Sequence, residues 1–91
     1  MNLEPLRRKI DIADEEIIIA ISKRMETVRL IADYKKKDGI PIFDSDREKE
    51  VIERIRKYAE ESDINPDFAE KIFRLIIEES KRIQNRKFTV L

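Results

Sequence analysis

The 91-residue chain has no cysteine, no histidine and no tryptophan, one glycine and three prolines. Without cysteine there is neither a disulfide framework nor a thiolate nucleophile. Without histidine there is no imidazole base, and the usual zinc ligands disappear with the two together. Any chemistry must rest on Arg, Lys, Asp, Glu, Ser, Tyr, Gln or Asn. The longest apolar runs fall far short of the roughly 18 residues that would span a bilayer. The start Met1-Asn2-Leu3-Glu4-Pro5 lacks the basic-then-apolar layout of a signal peptide, so a cytoplasmic protein with no membrane partner is expected. Neither sign of charge is in excess: Lys plus Arg and Asp plus Glu number 20 each, leaving no net field to recruit nucleic acid. A basic site, if there is one, is local. Also missing are internal repeats, low-complexity tracts, glycine-rich phosphate loops and β-alternation, which leaves an all-α class.

What is present is helical periodicity. With 41% hydrophobic and 44% charged residues, the composition suits one soluble domain over 1–91. Pro5 suits a first helical turn and Gly39 a C-terminal cap with Pro41 beyond it, so the spacing predicts a first helix over about 4–37. Leu6, Ile10, Ala13, Ile17, Ala20 with Ile21, Val28 and Ile31 step by three and four along one face of it. A loop over 38–44 follows. Ser45 and Glu48 have capping-box spacing, and a second helix over about 45–62 should bury Val51, Ile52, Ile55, Tyr58 and Ala59. Asn65-Pro66 opens a third over about 66–87, with Phe68, Ala69, Ile72, Phe73, Ile76, Ile77 and Ile83 inward and a tail from Lys87 to Leu91 that frays. At 1.5 Å per residue the first helix would measure about 50 Å, against about 30 Å for a compact globule of this size. Its own chain cannot cover it. A two-fold homodimer with interleaved helices is expected.

Polar side chains interrupt the apolar rows. Arg24 and Lys35 break the first, Arg47 and Glu48 open the second, and Ser80 and Gln84 close the third. Each has a plain reading taken singly: the cations run their methylenes over apolar surface into water, Glu48 and Asp44 serve a helix start, Arg47 forms a surface ion pair, and Ser80 and Gln84 are solvated near a helix end. Together they carry more weight, because burying such groups unpartnered costs several kcal/mol each. Eleven residues separate Arg24 from Lys35, which places them within about 20° on the helix, whereas Arg7 is turned about 100° from Arg24. If Arg7 joins a pocket, it belongs more naturally to the one around a partner chain's Arg24 and Lys35. Cations from one helix, a carboxylate from another and neutral donors from a third suit a small dianion, since arginine binds carboxylates through paired hydrogen bonds. No nucleophile is evident. The set favours a reaction that needs only a held conformation and stabilisation of developing negative charge.

The spacing Leu6-Arg7-Arg8-Lys9-Ile10-Asp11, Arg24, Tyr34-Lys35, Ile40-Pro41-Ile42, Asp44-Ser45-Asp46-Arg47-Glu48 and Ile76-Ile77-Glu78-Glu79-Ser80 with Gln84 resembles the all-helical chorismate mutases over about residues 6–85. The resemblance implies a three-helix protomer in an intertwined dimer and the intramolecular conversion of chorismate to prephenate, with no cofactor or metal. It also implies roles. Arg7 of the second subunit and Arg24 would hold the two carboxylates, Lys35 and Gln84 would donate to the ether oxygen, and Glu48 would accept from the ring hydroxyl. Asp44 would lie beside it through its backbone, with Arg47 and Ser80 completing the wall. Because the chain ends soon after the third helix, no attached enzyme or regulatory domain is expected. Two competing readings are an isochorismate-pyruvate lyase of the same fold, against which the segment Asp44 to Glu48 argues, and a non-catalytic helical dimerisation module.

Overall fold

Local chemistry sets where each helix starts and stops. In a computed structural model that describes residues 2–89, with side chains through 86, the chain forms α1 (Glu4–Asp38), α2 (Ser45–Glu61) and α3 (Pro66–Thr89). The fraying expected over Lys87 to Leu91 lies largely outside the described residues. At the start of α1, Asn2 Oδ1 accepts from the Glu4 N–H at 3.0 Å, and Pro5 occupies the first turn. The helix stops at Gly39, whose φ of 66° is left-handed, and the Ile40 N–H closes on the Lys35 carbonyl at 2.8 Å. A residue with a Cβ would be strained there.

The start of α2 differs from the expected capping box. The cap is Asp44, in extended conformation, whose Oδ1 accepts from the Arg47 N–H at 3.0 Å. A full carboxylate charge at the positive helix end is a stronger cap than the Ser45 hydroxyl. With Ser45 already helical, Glu48 falls one position too late to reach back, and it turns toward α3 instead. Between α2 and α3, Asp63 adopts a left-handed φ of 61°, and the Ile64 N–H reaches the Ala59 carbonyl at 2.8 Å. Asn65 Oδ1 then caps α3 by accepting from the Asp67 N–H at 2.8 Å.

α3 is the shared wall. Both α1 and α2 pack against it, and among the described residues they do not pack on each other. Met25, Val28 and Ile83, with Ile21 and Ile76 beside them, form the α1–α3 contact. Val51, Ile52 and Ile77, with Ile55 and Phe73, form the α2–α3 contact. Arg56 of α2 adds an ionic tie, meeting Asp67 at 3.0 Å and Glu70 at 2.9 Å, while Arg74 meets Glu70 at 2.8 Å. Hydrogen bonds from Arg74 and then Arg56 hold the Glu70 carboxyl below its ordinary range.

The result is an open layer measuring 59 × 27 × 14 Å, with a radius of gyration of 16.5 Å against about 12 Å for a compact chain of this length. Several residues expected inside are exposed in the single subunit: Leu6, Ile10, Ala13, Ile17, Ala20 and Ile31 on α1, Tyr58 on α2, and Phe68 and Ile72 on α3. The reason is geometric. Among the described residues the α1–α3 core begins at Ile21, so the apolar row before it is left uncovered within the subunit.

Candidate active site

The two helix–helix contacts diverge around a cleft of about 470 Å³ between α1, the 39–44 loop, α2 and α3. Its floor is apolar, from Val28 and Ile31 of α1, Ile42 of the loop, Val51 of α2 and Ile77 of α3. Arg24, Lys35, Asp44, Arg47, Glu48, Ser80 and Gln84 also line the cleft, so seven of the eight sequence candidates meet in one place. The eighth, Arg7, does not reach it. It lies exposed near the free end of α1, where Nη1 meets Glu4 at 3.5 Å.

Arg24 is the centre of the arrangement. Its Nη1 donates to Ser80 Oγ at 2.8 Å, and that hydroxyl donates in turn to the Ile76 carbonyl at 2.8 Å. Ser80 thus orients the guanidinium without neutralising it, and among the described residues no carboxylate pairs with Arg24. Burial, followed by the positive charges of Arg47 and Arg54, pushes its pKa below the ordinary arginine value. The side chain stays cationic at neutral pH, since an arginine guanidinium is not deprotonated in a partly buried site. A bound anion would relieve the repulsion.

Lys35 donates to the Ile42 carbonyl at 2.9 Å, which ties the loop to the end of α1 and leaves two N–H groups of the ammonium for other acceptors. Gln84 is buried; its Nε2 donates to the Ser80 carbonyl at 3.3 Å, while Oε1 is buried with no hydrogen-bond partner. An orphaned buried acceptor costs about 1–3 kcal/mol. Arg47 leans outward to Glu50 at 2.8 Å.

Two lining residues, Thr27 and Lys81, escaped the sequence reading, and the second is charged. Lys81 of α3 pairs with Glu48 at 2.7 Å, and its ammonium sits 4.5 Å from the centre of the Phe43 ring. A lysine one position after Ser80 in a charge-rich helix breaks no periodicity and gives no signal. Counting it, four cations face two carboxylates, and the cleft carries two net positive charges. Among the described residues no group of His, Cys, Asp or Glu is arranged to hold a metal ion.

Fold and cleft together define a small all-α protein with a cleft two charges positive, lined by cations from α1, α2 and α3 and by the amide of Gln84. A family model for chorismate mutase type II matches residues 6–85, and the chain belongs to that family. The chorismate mutase of Methanocaldococcus jannaschii is 37% identical over 84 residues, covering 92% of this chain and 85% of that protein. The T-protein of Enterobacter agglomerans is 33% identical over 85 residues, which are 93% of this chain but 23% of that much longer protein. A 4-amino-4-deoxychorismate mutase of Streptomyces pristinaespiralis is 28% identical over 83 residues, covering 91% of this chain and 64% of that one.

Proposed function

We propose that the cleft, completed by a second copy of the chain, converts chorismate to prephenate. The isomerisation breaks the bond between the ring and the ether oxygen as the enolpyruvyl methylene bonds to the ring. Every atom is retained, and no nucleophile, proton donor or co-reactant is consumed. Catalysis then means holding the bent conformer and stabilising the oxygen on which charge builds. Arg24 grips one carboxylate and the partner's Arg7 the other. Lys35 and the free Nε2 hydrogen of Gln84 donate to the ether oxygen, Glu48 accepts from the ring hydroxyl, and Asp44, Arg47 and Ser80 hold the surrounding wall.

The observation that carries this reading is the unpaired, half-buried Arg24 in a cleft two charges positive. Chorismate carries two carboxylates, so its charge matches. The two-fold assembly is supported by the bare apolar face of α1, and the position of Arg7 near the free end of that helix fits a role across the interface. The test is a spectrophotometric assay of purified protein with chorismate and, separately, isochorismate. Loss of chorismate absorbance with prephenate as the product is the expected result. Faster release of pyruvate from isochorismate, or no reaction with either, would overturn the assignment.

A further inference from the structure

We propose that Lys81 sets which substituent the cleft accepts at the ring position read by Glu48, favouring a neutral hydroxyl over a cationic amine. The inference rests on the mutase reading above and adds a specificity-determining residue to it. Three observations place the ammonium. Nζ lies 2.7 Å from Glu48 Oε1, it stacks 4.5 Å over the Phe43 ring, and both Lys81 and Glu48 line the cleft. The pair is well covered, with 33% and 25% of the two side chains exposed. Lys81 is also fixed in sequence between two other lining residues, one position after Ser80 and three before Gln84.

The electrostatic consequence is direct. Without Lys81, Glu48 would present a bare carboxylate, which attracts an ammonium far more strongly than it attracts a hydroxyl. With Lys81 bound to Oε1, the carboxylate is already neutralised, and its remaining lone pairs suffice for one neutral O–H donor. An aliphatic amine at the same ring position is largely protonated at neutral pH and would lie within a few ångströms of the lysine charge. Like charges at that range in a partly buried site repel strongly. The Streptomyces relative, 28% identical over 83 residues, is named for the substrate in which an amine replaces this hydroxyl.

The test compares kcat/KM for chorismate and for 4-amino-4-deoxychorismate in the unmodified protein and in Lys81→Met, Lys81→Gln and Lys81→Arg. The expected result is that both neutral variants shift the amine-to-hydroxyl preference at least tenfold toward the amine, while Lys81→Arg keeps the wild-type preference. The chorismate loss in the neutral variants should fall mainly on KM, since one attractive charge for a dianion is gone. An unchanged ratio, with both substrates reduced equally, would overturn the proposal and leave Lys81 a structural ion-pair partner. A wild-type protein inactive on both substrates would instead sink the mutase reading beneath it. Wild-type turnover of chorismate with an indifferent Lys81 sinks only the specificity claim.

Discussion

The two halves of α1 have the same helical geometry and the same kind of apolar spacing, yet they have opposite surroundings. From Ile21 onward the helix packs on α3, buries Met25, Val28 and Ala32, and delivers Arg24 and Lys35 to the cleft. Before Ile21 every described residue is exposed, with Leu6, Ile10 and Ile17 each more than half accessible. A fully buried aliphatic side chain is worth roughly 2 kcal/mol, so the bare half withholds a large part of the stabilisation its pattern was built to supply. One helix therefore serves two purposes. Its C-terminal half belongs to the fold of a single subunit, and its N-terminal half is the bare surface on which the proposed two-fold assembly rests.

The largest effect should come from placing a charge on the bare half. Ile17→Asp is expected to be nearly harmless to an isolated subunit, since the position is 57% exposed there, but it would bury a carboxylate in each copy of a dimer. Sedimentation equilibrium should show dissociation, with activity lost alongside it. A variant that keeps both assembly and turnover would erase the distinction between the halves.

A smaller effect is expected on the packed half. Arg24→Ala should preserve assembly and lower chorismate turnover at least a hundredfold, or about 2.7 kcal/mol of barrier. Mixing it with Arg7→Ala brings the two halves into one experiment. If Arg7 acts across the interface, a heterodimer contains one site with both arginines intact, and activity should return after subunit exchange. No recovery after confirmed exchange would confine each site to one chain.

The smallest effect should lie where α2 meets α3, in a contact made within one subunit. Glu70 is held below the ordinary carboxylate value of 4.5 by Arg74 and Arg56, so its contribution to stability is complete above that value and fades as pH falls through the lower, folded one. Glu70→Gln should lower the thermal midpoint slightly at neutral pH and leave it unchanged below the range in which Glu70 titrates. Because the ion pairs are within one chain, the shift should not depend on protein concentration, unlike that of Ile17→Asp. A concentration-dependent shift would move this contact to the interface.

Much of the architecture is legible locally. Pro5, Gly39 and Asn65-Pro66 punctuate the helices through backbone chemistry that acts over a few residues. Three-and-four spacing shows which side of a helix is apolar, and eleven-residue arithmetic puts Arg24 and Lys35 on a common face; both line the cleft. Periodicity does not show who covers a face. That is why Tyr58, Phe68 and Ile72, each on an apolar row, are exposed in the subunit. The competition for the α2 cap was also illegible, because Asp44 and Ser45 are both good caps and only the backbone angles choose between them. Lys81 gave no local signal at all. Its role arises from Glu48 and Phe43, more than thirty residues away in sequence.

The sequence by itself determined three helices, much of their punctuation, the lack of cysteine and histidine, and an excess of apolar surface on a helix too long for its own chain. These follow from local backbone preference and from periodicity, which act within a few turns. The tertiary structure alone decided that, among the described residues, Arg24 is left without a carboxylate and Gln84 keeps an unpartnered oxygen, and that Glu48 turns from its own helix end to Lys81. Those outcomes depend on which charges are brought within a few ångströms through low-dielectric surroundings, and that is a property of packed helices rather than of residue order.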